Sequence, residues 1–278
     1  NRELFRRLSK STIMKFDLNT LFDLSLKLYD VGLTVKGMIA HWHYRKVWGV
    51  LKNNIELQNL KQSDVCYICG NGPSFKKVDV DELEGDMIVM NDYWRISSQF
   101  RKTPILYMIA DDAYKQPSLR ERFEGVMNCH PAIPHLFTIK MYEHVEKEKT
   151  NQKVYYFSPL TRTFNHNLEA DFTKQFPNAW NVVSWSILLA VYMGYKEVRL
   201  LGCDYSLFAS RFIEHMYDKD GVRVPCPYSL KDMLYKYSFA THIHYEIQKY
   251  ALEHGVHIVN MTKATVLDAY EVDENSPY

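Results

Sequence analysis

The sequence predicts an α/β protein built on a mostly parallel sheet with helices on both faces. Three observations predict it. From Val65 onward, short β-forming runs alternate with helical stretches, the pattern of parallel strands joined by crossover helices. The first run, Val65–Cys69, breaks abruptly into Gly70-Asn71-Gly72-Pro73-Ser74, a turn of the kind that presents backbone N–H groups to a phosphate in open α/β sheets. Finally, Asn181–Met193 carries Val182, Val183, Ile187, Leu188, Leu189, Val191 and Met193, so this helix is expected to be packed deeply.

Residues 1 to about 62 differ from the rest. Basic residues outnumber acidic ones there, with Arg2, Arg6, Arg7, Lys10 and Lys15 leading the series. Asp17 is placed to cap a helix carrying Leu21, Leu24, Leu28 and Val31 on one face. A second helical stretch holds Met38, Ile39, Trp42, Trp48 and Leu51. A basic amphipathic helix can lie on an anionic membrane surface. The interleaved Asp17, Asp23 and Asp30 favour packing on the domain or on another subunit. The chain is therefore divided into an N-terminal helical extension, 1–62, and a catalytic-sized domain, 63–278.

In that domain the expected strands are Val65–Cys69, Met87–Asn91, Ile105–Ala110, His135–Ile139, Val154–Phe157, Val198–Gly202 and His257–Met261. The expected helices are Asp79–Glu84, Ser118–Val126, Asn181–Met193 and Lys231–His254, with Gly194 ending the third. Residues 205–230 are irregular and contain Gly221, Pro225 and Pro227. A loop this long in a compact domain suggests a lid.

Composition narrows the function classes. The chain has 278 residues, enough for one large α/β domain. Its net charge of +1 argues against bulk nucleic-acid binding. Of the five cysteines, Cys66 and Cys69 form a C-x-x-C across a strand, with no second pair at matching spacing. They read as reduced, buried thiols rather than a metal half-site. Without a signal-peptide pattern or an apolar run of about 18 residues, the chain is expected to be cytoplasmic. No Walker lysine loop or G-x-S-x-G motif is present.

Ligands of open parallel sheets bind beyond the C-terminal strand ends. Those ends deliver Gly70 to Ser74, Asn91-Asp92-Tyr93-Trp94, Asp111-Asp112 and Gly202-Cys203-Asp204-Tyr205. Asp111-Asp112 suits either Mg²⁺ beside a diphosphate or a helix cap. His215 in the long loop suits general-base work or pairing with a phosphate, or is a solvated loop residue. His242 and His244 lie near the start of the last helix, where either could reach a cleft.

These residues resemble the bacterial lipooligosaccharide sialyltransferases and the wider Maf-like glycosyltransferases of domain-of-unknown-function 115. The matching pieces are Gly70-Asn71-Gly72-Pro73-Ser74, Asn91, and Ser184 opening a helix that runs into Met193-Gly194-Tyr195-Lys196-Glu197-Val198-Arg199-Leu200-Leu201-Gly202-Cys203-Asp204. The resemblance spans about residues 65–270 and continues through His257-Ile258-Val259-Asn260. It implies a single Rossmann-like domain of the variant GT-A type that binds a CMP-activated nonulosonic sugar without metal. It further implies that Gly70, Asn71, Gly72 and Asn91 contact the nucleotide, that Ser184 helps hold the donor, and that a lid residue meets the leaving phosphate. A histidine would activate the acceptor hydroxyl, and His215 and His242 are the candidates. The chain departs from the pattern in having Asn181-Val182-Val183 where those enzymes carry an arginine before the serine. It also has Asp111 or its neighbour where they carry asparagine, and an acid there repels a phosphate unless it binds sugar hydroxyls or a cation.

The expected function is an inverting transfer of a sialic-acid-like sugar from a CMP-linked donor to a surface glycan or glycoprotein, in polysaccharide biosynthesis. The expected donor-binding residues are Gly70, Asn71, Gly72, Pro73, Ser74, Asn91, Asp111, Ser184 and Asp204. No cofactor is expected, with Mg²⁺ at Asp111 and Asp112 as the alternative. Peripheral contact with the inner face of the cytoplasmic membrane and homo-oligomerisation are further expectations, and nucleic acid is not expected as a partner. Two other functions remain open: a Mg²⁺-dependent pterin pyrophosphokinase-type transferase, and a nucleotide-binding scaffold in polysaccharide assembly.

Overall fold

The computed structural model describes residues 18–161, 168–177, 179–219, 222 and 224–278. Asp17 and the basic residues from Arg2 to Lys15 lie outside them. The described strands are β1 (Val65–Cys69), β2 (Asp86–Met90), β3 (Leu106–Ile109), β4 (His135–Thr138), β5 (Val154–Thr161), β6 (Gln175–Pro177), β7 (Glu197–Leu201), β8 (Phe212–Ile213), β9 (Val224–Pro225), β10 (His257–Asn260) and β11 (Glu271–Val272). Nine of them form one sheet in the order β11-β10-β7-β1-β2-β3-β4-β5-β6. Every neighbouring pair in it is parallel. The chain starts at the middle, walks outward from β1 to β6, and returns to the other side of β1 as β7. The topological switch point therefore lies between β1 and β7.

All seven strands expected from sequence are present, each starting within one residue of its expected first residue. Their near-continuous apolar character follows from burial on both faces. In β1, Cys66 and Ile68 join one core while Tyr67 and Cys69 join the other. The first core is covered by α4 (Val182–Tyr192) and α5 (Leu230–Glu253), through Ile187, Leu188, Ile243 and Ile247. The second is covered by α2 (Arg120–Asn128), by α3 (Tyr142–Glu148) and by short 3₁₀ turns, through Phe123, Val126, Val145 and Phe75. In α4 every residue from Ser184 to Val191 is buried, as its apolar sequence requires.

Three local features differ from the sequence reading. Asp79–Glu84 makes only a 3₁₀ turn, Val80–Glu82, because Asp79 caps Asp81 N and the chain then turns into β2. The N-terminal stretches merge into one helix, α1 (Leu18–Tyr44), of 27 residues. The following segment, Trp48–Leu60, belongs to the body. Leu51 and Leu57 are buried in the cores, and buried Asn54 donates from Nδ2 to Tyr156 O and Phe172 O at 2.6 and 2.7 Å. No helix among the described residues is long and apolar enough to cross a membrane.

Candidate functional site

The C-terminal ends of β1 and β7 face each other closely. Gly70 N donates to Leu201 O at 2.8 Å, and Gly72 N donates to Gly202 O at 2.9 Å. Glycine is needed on both sides of this contact. A Cβ on Gly70 would sit 2.6 Å from Gly202 O, and one on Gly72 would sit 2.0 Å from Asp204 Oδ2. Gly202 has φ +62°, and a Cβ there would meet Gly70 O at 2.5 Å. Asp204 closes the junction: its Oδ2 accepts from Ser74 Oγ at 2.8 Å and its Oδ1 from Ser74 N at 3.3 Å.

This narrows one expectation. The turn was expected to offer its N–H groups to a phosphate, but those of Gly70, Gly72 and Ser74 are spent inside the fold, and Pro73 has none. Asp204 adds a carboxylate to the same wall. The turn is held by strand-to-strand packing, and the groups it leaves toward the cavity are those of Asn71.

A cavity of about 730 Å³ opens beyond these strand ends. Asn71, Gly72, Pro73, Asn91 and Asp204 form one side of its lining. Asn71 Oδ1 and Asn91 Oδ1 are buried and have no hydrogen-bond partner among the described residues. Asn91 follows β2 with φ +51°, a left-handed conformation that asparagine tolerates better than most residues. Tyr107 fixes it there by donating its hydroxyl to Asn91 O at 2.6 Å. Two amide side chains with unmet acceptors, on adjacent strand ends, form a polar clamp for a ligand that can donate.

The opposite side is made by the start of α4 and by one face of α5. Asn181 caps α4, its Oδ1 accepting from Ser184 N at 2.8 Å, while Val182 and Val183 line the cavity. Lys236, Tyr237 and Ala240 reach it from α5. Lys236 is the one lysine in the cavity lining among the described residues, and its ammonium lies 4.4 Å from the Tyr228 ring centroid. Tyr205, at φ +57°, lines the floor.

Behind that wall lies a buried network. His244 Nε2 is 3.1 Å from Ser184 Oγ and 3.4 Å from Asn181 Nδ2, and its Nδ1 is 2.8 Å from the Tyr270 hydroxyl. His244 is fully buried, and burial pushes its pKa from 6.5 down to about 3. A neutral imidazole in this place fixes the Asn181–Ser184 cap. Ser184 was expected to touch the donor, but its hydroxyl is buried and engaged by Asn181 and His244.

The lid expected over residues 205–230 contains a short antiparallel hairpin, β8 with β9. It is latched to the glycine turn by Met216 N, which donates to Asn71 O at 3.0 Å. His215 lines the cavity, stacks on Tyr217 at 4.9 Å, and has Asp218 Oδ2 3.4 Å from its Nδ1. The Tyr217 ring in turn lies 5.1 Å from the Arg95 guanidinium. Arg95 Nε is 3.5 Å from buried Asp92 Oδ2, which also pairs with Arg122 at 2.7 Å. The turn after β2 thus carries both Asn91 and an anchor for the lid.

The remaining sequence candidates fall elsewhere. His242 is half-buried on α5, outside the cavity lining. Asp111 accepts from Ala113 N at 2.9 Å as the cap of its own turn. Asp112 pairs with Lys115 at 3.0 Å. Neither aspartate lines the cavity, and no group of three or more His, Cys, Asp or Glu side chains that could hold a metal ion occurs among the described residues. All five cysteines are free, and burial raises the Cys66 and Cys69 thiols far above their ordinary range. Sequence reading missed Lys236, Tyr237 and Trp180 as cavity residues. Tyr237, Ala240 and His244 share a face at helical spacing, but this signal is the same for a core face.

The fold and site define a doubly wound, parallel α/β domain with a ligand-sized cavity at its switch point. No protein-family model matches the chain, and no curated protein matches it. Among solved structures it is similar to the monofunctional α-2,3-sialyltransferase Cst-I from Campylobacter jejuni, at 13% identity over 76% of this chain and 80% of that one, with TM-score 0.42. It is also similar to the sialyltransferase CstII of the same organism in complex with the substrate analogue CMP-3FNeuAc, at 13% identity over 74% and 85%, with TM-score 0.45. A Maf glycosyltransferase from Magnetospirillum magneticum AMB-1 is similar at 11% identity over 83% of this chain and 38% of that one, with TM-score 0.46.

Proposed function

We propose that the chain is a glycosyltransferase that takes a CMP-linked, sialic-acid-like sugar as donor and a glycan or glycoprotein as acceptor. The observation that carries this reading is the pair Asn71 and Asn91. They stand at adjacent strand ends beside the switch point, with buried acceptors that no described residue satisfies. Amide side chains of this kind match the edge of a nucleobase, and the resemblance of the surrounding motifs supports cytosine as that base.

In this reading the acceptor hydroxyl oxygen forms a bond to the anomeric carbon as the bond from that carbon to the CMP phosphate breaks. Inversion follows from attack on the face opposite the leaving group. His215, at the cavity wall, accepts the hydroxyl proton. The charge that develops on the leaving phosphate falls to the N–H groups of Val182 and Val183 at the start of α4 and to Lys236. The lid, latched through Met216, keeps water from the donor.

The test is a thermal-shift panel of CMP, UDP, GDP and ATP, followed by hydrolysis of CMP-sialic acid with and without EDTA. CMP should raise the melting temperature in proportion to ln(1 + [L]/Kd), and hydrolysis should survive EDTA. Stabilisation by UDP or GDP but not by CMP would sink the donor assignment. Loss of hydrolysis with EDTA would reinstate a metal.

A further inference from the structure

We propose that a second copy of this chain docks along the outer face of α1. Leu21, Leu24, Leu28, Val31, Val35, Met38 and Trp42 follow one another at strictly alternating intervals of three and four residues. All seven are exposed, between 43% and 68%, although the helix runs against β5 of its own body. A 3.5-residue period sustained over three heptads makes a narrow seam that stays aligned only with another helix coiling around it.

The charge pattern separates this occupant from a lipid surface. A helix that binds an anionic membrane needs a broad apolar arc backed by lysine and arginine. Between Leu18 and Tyr44 the chain has only Lys27 and Lys36, balanced by Asp23 and Asp30. The area also suits a stable pair. Seven large side chains at these exposures offer roughly 800 Å² per copy, the share each partner contributes to a standard protein interface. A seam that is complementary to itself is what a two-fold pairing of identical chains requires.

The test is sedimentation or light scattering of the full chain across a concentration series. The result expected is a particle of at least two 32.8 kDa chains, dissociating on dilution. Leu24→Glu with Val31→Glu should weaken the association by roughly a hundredfold or more. Lys36→Glu, off the seam, should leave it intact. Both variants should keep the wild-type circular dichroism spectrum. If the double glutamate variant does not fold, Leu24→Ser with Val31→Ser replaces it, with the same expected dissociation. A wild-type chain that stays monomeric at every concentration overturns the proposal. So does one that assembles equally well with the seam variants. Monomers that co-float with phosphatidylglycerol vesicles overturn it in favour of a membrane surface.

Discussion

Lowering the pH from 8 to 5 should destabilise the fold through His244. Its imidazole is buried against Ser184, Asn181 and Tyr270, and burial holds its pKa near 3 against 6.5 in an exposed chain. Above pH 6.5 it is neutral in both folded and unfolded states and contributes no pH dependence. Between pH 6.5 and about 3 the unfolded chain binds a proton that the folded chain refuses, so stability falls as pH falls. At pH 5 the loss relative to pH 8 is about 2 kcal/mol, or roughly 5 °C in melting temperature for a domain of this size. The assay is urea unfolding of wild type and His244→Gln at both pH values. His135 and His130, whose pKa values burial also lowers, act alike in both proteins and cancel in the comparison. Wild type should lose about 2 kcal/mol more than the variant. Equal losses would show that His244 takes up its proton in the folded chain, and the rigid cap argued for α4 would fall with it.

Three further outcomes follow from the same geometry. Gly72→Ala should lower the melting temperature by more than 5 °C, on the order of 2 kcal/mol or more, because its Cβ meets Asp204 and Gly202 O; an unchanged melting curve would refute the close approach. Asn91→Gly, which keeps the left-handed backbone, should weaken CMP binding by roughly tenfold or more in calorimetry, and an unchanged Kd would remove Asn91 from the base pocket. Asn54→Ala should shift the urea midpoint downward by the equivalent of about 2 kcal/mol, since two buried carbonyls lose their donor; a midpoint within error of wild type would mean that water replaces the amide.

The sheet was legible because each central strand is a short apolar run that ends in a polar or glycine turn, and burial on both faces leaves no other solution for such runs. The two- and three-residue strands β6, β8, β9 and β11 were not legible. They are too short for any periodicity, and they pair at edges or on the lid. α1 read as two pieces although Leu21 to Val31 and Met38 with Trp42 belong to one seam; the second piece was drawn to include Trp48 and Leu51, which lie past the helix end in the segment that joins the body. Asn71, Asn91 and Asp204 were expected at the strand ends and do line the cavity, because strand-end polar residues have a definite place in a parallel sheet. Ser184 opens α4 as expected, but its hydroxyl is engaged by Asn181 and His244. The sequence could not show that His244, 60 residues later, would fold against it from behind.

The two halves of the motif that carried the family resemblance turn out to be one physical unit. Gly70 and Gly202 press carbonyl to α-carbon, and Asp204 reaches across to Ser74. A larger residue at any of the three glycines would separate β1 from β7 at the point where the cavity begins. This explains why the glycine turn and the Leu-Gly-Cys-Asp turn occur together, without invoking a ligand at either. It also moves the electrostatics. With those N–H groups consumed and the Asp204 carboxylate beside them, an anion is disfavoured on the β1 side. In the proposed reading the phosphate of the nucleotide lies toward α4 and Lys236, while its base lies toward the two asparagines. The cavity therefore has a polarity, and ligand orientation follows from it: Lys236→Gln should weaken CMP binding while leaving cytidine binding unchanged. Equal weakening of both in calorimetry would place the lysine at the base instead and reverse the orientation.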